Sequence, residues 1–123
     1  MEKDKLTGKI IGCAIEVHRA LGPGLMESTY ENCLAHEFSL NNIAFKKQFL
    51  MPVKYKGINL DCGYRIDLFI ENQVIIELKS VKKSTTIDEA QILTYMKLAN
   101  IKTGLLINFN VNRLIDGIKR FKL

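Results

Sequence analysis

The stretch YRIDLFIENQVIIELKS, residues 64–80, constrains this chain more than any other. Two runs of Val, Ile, Leu and Phe flank the polar triplet Glu71-Asn72-Gln73, which reads as two buried strands joined by a turn. Asp67, Glu77 and Lys79 interrupt those runs. A charge inside a sheet is expensive unless it is paired or binds something. Glu77 and Lys79 are two apart on one strand and share a face. If the turn has three residues and is centred on Asn72, Asp67 and Glu77 stand directly opposite each other and the three groups converge. A two-residue turn would put Asp67 on the other face unless a bulge intervened.

The rest of the chain supplies a scaffold for such a sheet. Leu6, Ile10, Cys13, Val17 and Leu21 recur at steps of three and four, one face of a helix over 6–21 that Gly22-Pro23-Gly24 ends. A second helix follows through ESTYENCLAHEFSL, with Tyr30, Leu34 and Phe38 on one stripe and Asn41-Asn42 as its stop. Phe45, Phe49, Met51, Val53 and Tyr55 alternate with Lys46, Gln48, Lys54 and Lys56, a strand with one wet face. KGIN at 56–59 turns the chain into a strand over 64–70, and the next strand covers 74–79. Thr86 and Glu89 suggest a capping box opening a third helix. TGLLINF at 103–109 is another strand, and the Asp116-Gly117 pair in LIDGIKRF suggests a terminal hairpin. The order is α-α-β-β-β-α-β plus that hairpin, an α/β (α+β) fold with a mixed sheet flanked by helices. A chain of 123 residues is expected to form one domain over 1–123.

Composition narrows the class. Hydrophobic residues make up 47% of the chain, ordinary for a globular domain. No apolar run approaches a membrane span, and MEKDKLTGKI lacks the apolar core of a signal peptide, so a soluble, cytoplasmic protein is expected. Cys13, Cys33 and Cys62 are odd in number without C-x-x-C spacing, as for reduced, mostly buried residues. The net charge of +5 fits contact with an anion such as nucleic acid, and equally a lysine-rich wet surface.

Two converging carboxylates suit a hard cation such as Mg²⁺ or Mn²⁺, and a neighbouring lysine could orient water or stabilise a phosphate. An internal Glu–Lys salt bridge at a sheet end explains the same residues, and both readings stand on the residues alone. His18 and His36 are lone helical histidines, better read as surface or partly buried polar residues than as ligands. Lys82 and Lys83 follow the acidic strand and either meet phosphates or form a solvated loop. Gly22, Pro23 and Gly24 lack the pattern of a phosphate-binding loop.

The spacing D-x(9)-E-x-K on adjacent strands before a helix resembles the PD-(D/E)XK phosphodiesterase superfamily, with its restriction-endonuclease-like fold. Gln91 and Tyr95 form a Q-x-x-x-Y pair on one helical face, similar to the motif of its exonuclease-like branch. GLMESTY carries Gly24, Glu27 and Tyr30 as G-x-x-E-x-x-Y, which resembles the GxxExxY protein family of that superfamily, and the resemblance runs from about Ile10 to Phe121. It implies a metal-dependent nuclease in which Asp67 and Glu77 hold Mg²⁺ or Mn²⁺, aided by Glu27 and the Leu78 carbonyl, while Lys79 assists water or transition state. Gln91 and Tyr95 would border that site, and Tyr30 fits the core better than the site. Ile66 stands where the superfamily often has Pro. The implied partner is nucleic acid, DNA ahead of RNA, with a homodimer or partner protein to supply recognition. The rival is a nuclease-fold domain that binds nucleic acid or protein without turnover.

Overall fold

The computed structural model describes residues 2–123, with the side chains of residues 2–4, 61 and 62 outside the description; the reading of Cys62 therefore lies outside the described residues. Helix α1 (Glu2–Leu21) and helix α2 (Glu27–Leu40) precede strands β1 (Phe45–Tyr55), β2 (Ile58–Ile70) and β3 (Val74–Lys79). Helix α3 (Thr86–Ala99), β4 (Thr103–Asn108) and β5 (Ile118–Lys122) complete the chain. The sheet runs β1-β2-β3-β4-β5. Among the described residues, only β3 and β4 pair in parallel. A parallel pair needs a crossover, and α3 provides it.

Helices cover both faces. Leu6, Ile10, Val17, Leu34 and Phe38 of α1 and α2 pack with Leu68, Ile76 and Ile107 on one side. Ile92 and Met96 of α3 pack with Ile66, Ile75 and Leu106 on the other. Strands covered on both faces read as continuous apolar runs, and β3 and β4 do. No helix among the described residues is long and apolar enough to cross a membrane.

Local chemistry sets the boundaries. Gly22 and Gly24 take φ of +75° and +95° between α1 and α2, which an L side chain resists. The capping box of α3 uses Thr85 and Asp88, one residue before the expected Thr86 and Glu89. Residue 85 keeps the extended backbone a cap requires, while Thr86 is already helical. Strand β2 begins at Ile58 rather than Tyr64, because β1 and β2 form a long ribbon that outruns the rest of the sheet. At the C-terminus, Leu114–Gly117 form a short 3-10 turn, and the antiparallel pair is β5 with β4 rather than two short strands around Asp116-Gly117. Five residues of extended backbone bury more against β4, whose own residues are buried throughout, than a free-standing hairpin could.

Candidate active site

The β2–β3 turn has three residues. Leu68 pairs with Ile76, Phe69 with Ile75 and Ile70 with Val74, a register centred on Asn72. Glu71 and Asn72 carry φ of +50° and +57° to make the reversal. The next pair outward is Asp67 opposite Glu77, and there the ladder stops. Asp67 enters the gap: its Oδ2 accepts the Leu78 N–H at 2.8 Å, in place of a strand carbonyl. The Asp67 N–H points to Glu77 Oε1 at 3.4 Å. A strand residue's N–H and C=O lie toward the same edge, so the Leu78 carbonyl faces this opening too.

Strict alternation fails at the same level. Ile66 packs under α3 and Leu68, two residues on, packs under α1 and α2. Gln48, opposite Asp67 on β1, drops out of the register with φ of +51°. Its amide donates to Asp67 Oδ1 at 3.4 Å and to Glu31 Oε1 on α2 at 2.6 Å.

Glu77 is 7% exposed. Burial, then the charge of Asp67, pushes its carboxyl up to about 8, and Lys79 offsets this only weakly. The Lys79 ammonium stands 3.6 Å from Asp88 Oδ1 in the first turn of α3. Asp88 also accepts the Thr85 N–H at 2.9 Å, so the helix cap is a fixed anchor for the lysine. Burial and the charges of Glu77 and Asp67 raise the Tyr95 phenol, while a hydrogen bond with Gln91 lowers it. The Tyr64 ring stacks on Tyr95 at 4.2 Å, and the Tyr64 hydroxyl donates to the Tyr95 carbonyl at 2.9 Å. Burial pushes that Tyr64 hydroxyl up to about 12.

Helix α2 approaches from the other side. Tyr30 is fully buried, stacked on Phe109 at 4.4 Å. Its hydroxyl donates to the Gly22 carbonyl at 2.6 Å and accepts the Leu25 N–H at 3.1 Å. Ser80 Oγ–H donates to the Leu25 carbonyl at 2.5 Å, tying this loop to the end of β3. Glu27 is exposed and its charge acts on Glu31, one turn along α2. Burial raises the Glu31 carboxyl, the Gln48 hydrogen bond lowers it, and Asp67 raises it further. The α2 acid connected to Asp67 is thus Glu31. No group of three or more His, Cys, Asp or Glu among the described residues is placed to hold a metal ion, so Glu27 is not gathered with the pair.

The PD-(D/E)XK nuclease superfamily profile matches residues 4–121. The chain belongs to this superfamily. Neither a curated protein nor a solved structure matches it.

Within a PD-(D/E)XK frame, Ile66 occupies the site adjoining Asp67 as a fully buried apolar residue under α3. Three residues at the acid pair escaped the sequence reading. Glu31 shares a helical face with Glu27, four residues on, and that spacing could have found it. Gln48 becomes visible only from the β1–β2 register, and Asp88 only once α3 is known to begin one residue early.

Proposed function

We propose that the chain is a divalent-metal-dependent nuclease that hydrolyses phosphodiester bonds of nucleic acid, DNA ahead of RNA, with Asp67, Glu77 and Lys79 as its working set. One observation carries the reading: Asp67 and Glu77 are crowded at the gap where the β2–β3 ladder ends. Burial, with the charge of Asp67 added to it, is costly enough to hold Glu77 protonated to about 8. A buried acid beside a half-buried one, without a close cation, is the environment a hard divalent ion relieves. The donors fit Mg²⁺ or Mn²⁺, since all are oxygen: the two carboxylates and the Leu78 carbonyl. When bound, the ion would polarise the phosphate and make its water more acidic.

The chain's own residues divide the remaining work. Asp67 is oriented by the Leu78 N–H and by Gln48. Lys79 exchanges Asp88 for the phosphate and steadies the charge that develops there. Gln91 and Tyr95 border the substrate, with the Tyr64 stack fixing the Tyr95 ring. The pattern of Gly24, Glu27 and Tyr30 supports reading the chain as one of the GxxExxY group, with Glu27 contributing through Glu31. A cytoplasmic setting and a second copy or partner protein for recognition belong to the same reading.

The Lys79–Asp88 ion pair also favours a second reading, a silent nuclease-fold domain whose lysine is structural. Cleavage of DNA and RNA with Mg²⁺, Mn²⁺ and EDTA separates them. Glu77→Ala should abolish Mn²⁺ binding in calorimetry and cleavage together. Lys79→Ala should keep Mn²⁺ binding while cutting slows by roughly 10²-fold or more. A wild type that binds nucleic acid but cuts neither substrate with either metal gives the silent reading the field.

A further inference from the structure

The loop between β3 and α3 carries two lysines for which the proposed chemistry has no use. Its backbone is braced at both ends. Ser80 bonds the Leu25 carbonyl at 2.5 Å. The Asn108 side chain clasps Val81 from both directions, accepting its N–H at 3.2 Å and donating to its carbonyl at 2.9 Å. At the far end Thr85 and Asp88 cap α3. Lys82 and Lys83 project from this segment, and no acid among the described residues pairs with either.

Together with Ser84, Asn108 and Lys119 they line a cleft of about 200 Å³. Asp116 also lines it, but its carboxylate is taken by Arg113 at 3.2 Å. Lys119 is held by Glu89. The uncompensated charge of the cleft is therefore that of Lys82 and Lys83. A loop anchored at both ends has already lost part of the backbone freedom that capturing an anion would otherwise remove. Lys82 lies three residues beyond Lys79, a span of at most about 11 Å. Phosphates along one strand recur every ~3.4 Å of helix axis, so a few steps bridge that distance.

We propose that this cleft is a phosphate subsite, in which Lys82 and Lys83 hold the backbone of the nucleic-acid strand next to the bond cut at Asp67 and Glu77. The subsite takes the place of the cut from the nuclease reading and adds to it the track of the substrate, from the sheet gap past the α3 cap toward β5.

The test is binding of a fluorescein-labelled DNA strand in EDTA, by anisotropy across a salt series, so that no cutting intervenes. Lys82→Ala/Lys83→Ala should weaken binding about tenfold at low salt and flatten the slope of log K against log salt by about 1.5, as loss of two phosphate contacts does. Lys5→Ala/Lys9→Ala removes the same charge from α1 and should change affinity less than twofold. Lys82→Gln/Lys83→Gln, which removes the charge but keeps a polar side chain with most of the aliphatic stem and so guards against a folding defect, should behave like the alanine pair. Equal weakening by the α1 pair, or an unchanged slope in both loop variants, overturns the subsite. If the loop variants weaken binding while wild type cuts nothing with any divalent metal, the subsite stands and the nuclease reading falls. If wild type cuts and the loop variants bind normally, the reverse holds. A wild type that does not bind DNA sinks both.

Discussion

Glu77 is the residue at which the proposed site and the stability of the fold meet. Its carboxyl sits near 4.5 in an ordinary environment and at about 8 here. Between those values the folded chain holds a proton that the unfolded chain has released. Stability therefore falls as pH rises through that window, by about 1.4 kcal/mol per pH unit from this group alone. It is fully present below the lower value and lost through the upper one. Urea unfolding from pH 5 to 9 should show wild type losing on the order of a few kcal/mol relative to Glu77→Gln, which has no proton to release. Parallel pH profiles for the two proteins would show that burial and Asp67 do not hold that proton. The placing of Glu77 opposite Asp67 was legible in advance on the condition of a three-residue turn, which the register meets, while the break in alternation between Ile66 and Leu68 was not.

The elements around the pair were legible to different degrees, for a physical reason. Helix α2 was read correctly from Glu27 to Leu40 because the apolar period and the flanking Gly-Pro-Gly and Asn-Asn are local signals. The role of Gln48 was not, since it depends on which residue of a distant strand lies opposite. The α3 start was missed by one residue because Thr85 and Thr86 both offer a hydroxyl, and only the extended backbone of Thr85 selects it. Thr85→Ala should cost about 1 kcal/mol in thermal or urea unfolding, with Thr86→Ala near neutral. The 3-10 turn makes a sharper demand. A Cβ on Gly117 would stand 2.1 Å from the Asn108 carbonyl oxygen, backbone against backbone. Gly117→Ala should destabilise by roughly 1–3 kcal/mol and loosen the Asn108 clasp on Val81, seen as faster amide exchange at Val81. Unchanged exchange there would mean that the turn and the loop are independent.

Across the whole molecule, order is graded from the centre of the sheet outward. The β2–β3 ladder runs only from Leu68 to Ile70, whereas β1 and β2 pair from Phe45 to Tyr55. The far half of that ribbon is thus supported by little more than itself, and an isolated pair of strands is marginal in water. Hydrogen exchange should be slowest at Ile75, Ile76 and Leu105–Ile107 and faster by orders of magnitude at 54–60. The fold class was legible because β3 and β4 announce a sheet covered on both sides. The length of the ribbon was not, because its tip carries no core pattern to read. The three-residue turn at 71–73 has a different kind of consequence. It lies at the opposite end of the β2–β3 pair from the acids, on the surface, where chains ordinarily accept insertions. Here it acts as a length gauge, because adding one residue slides Asp67 past Glu77 and turns it to the wrong side. Natural variation in chain length should therefore be refused at Asn72, and at Lys56-Gly57 it should be confined to changes that keep Gln48 opposite Asp67.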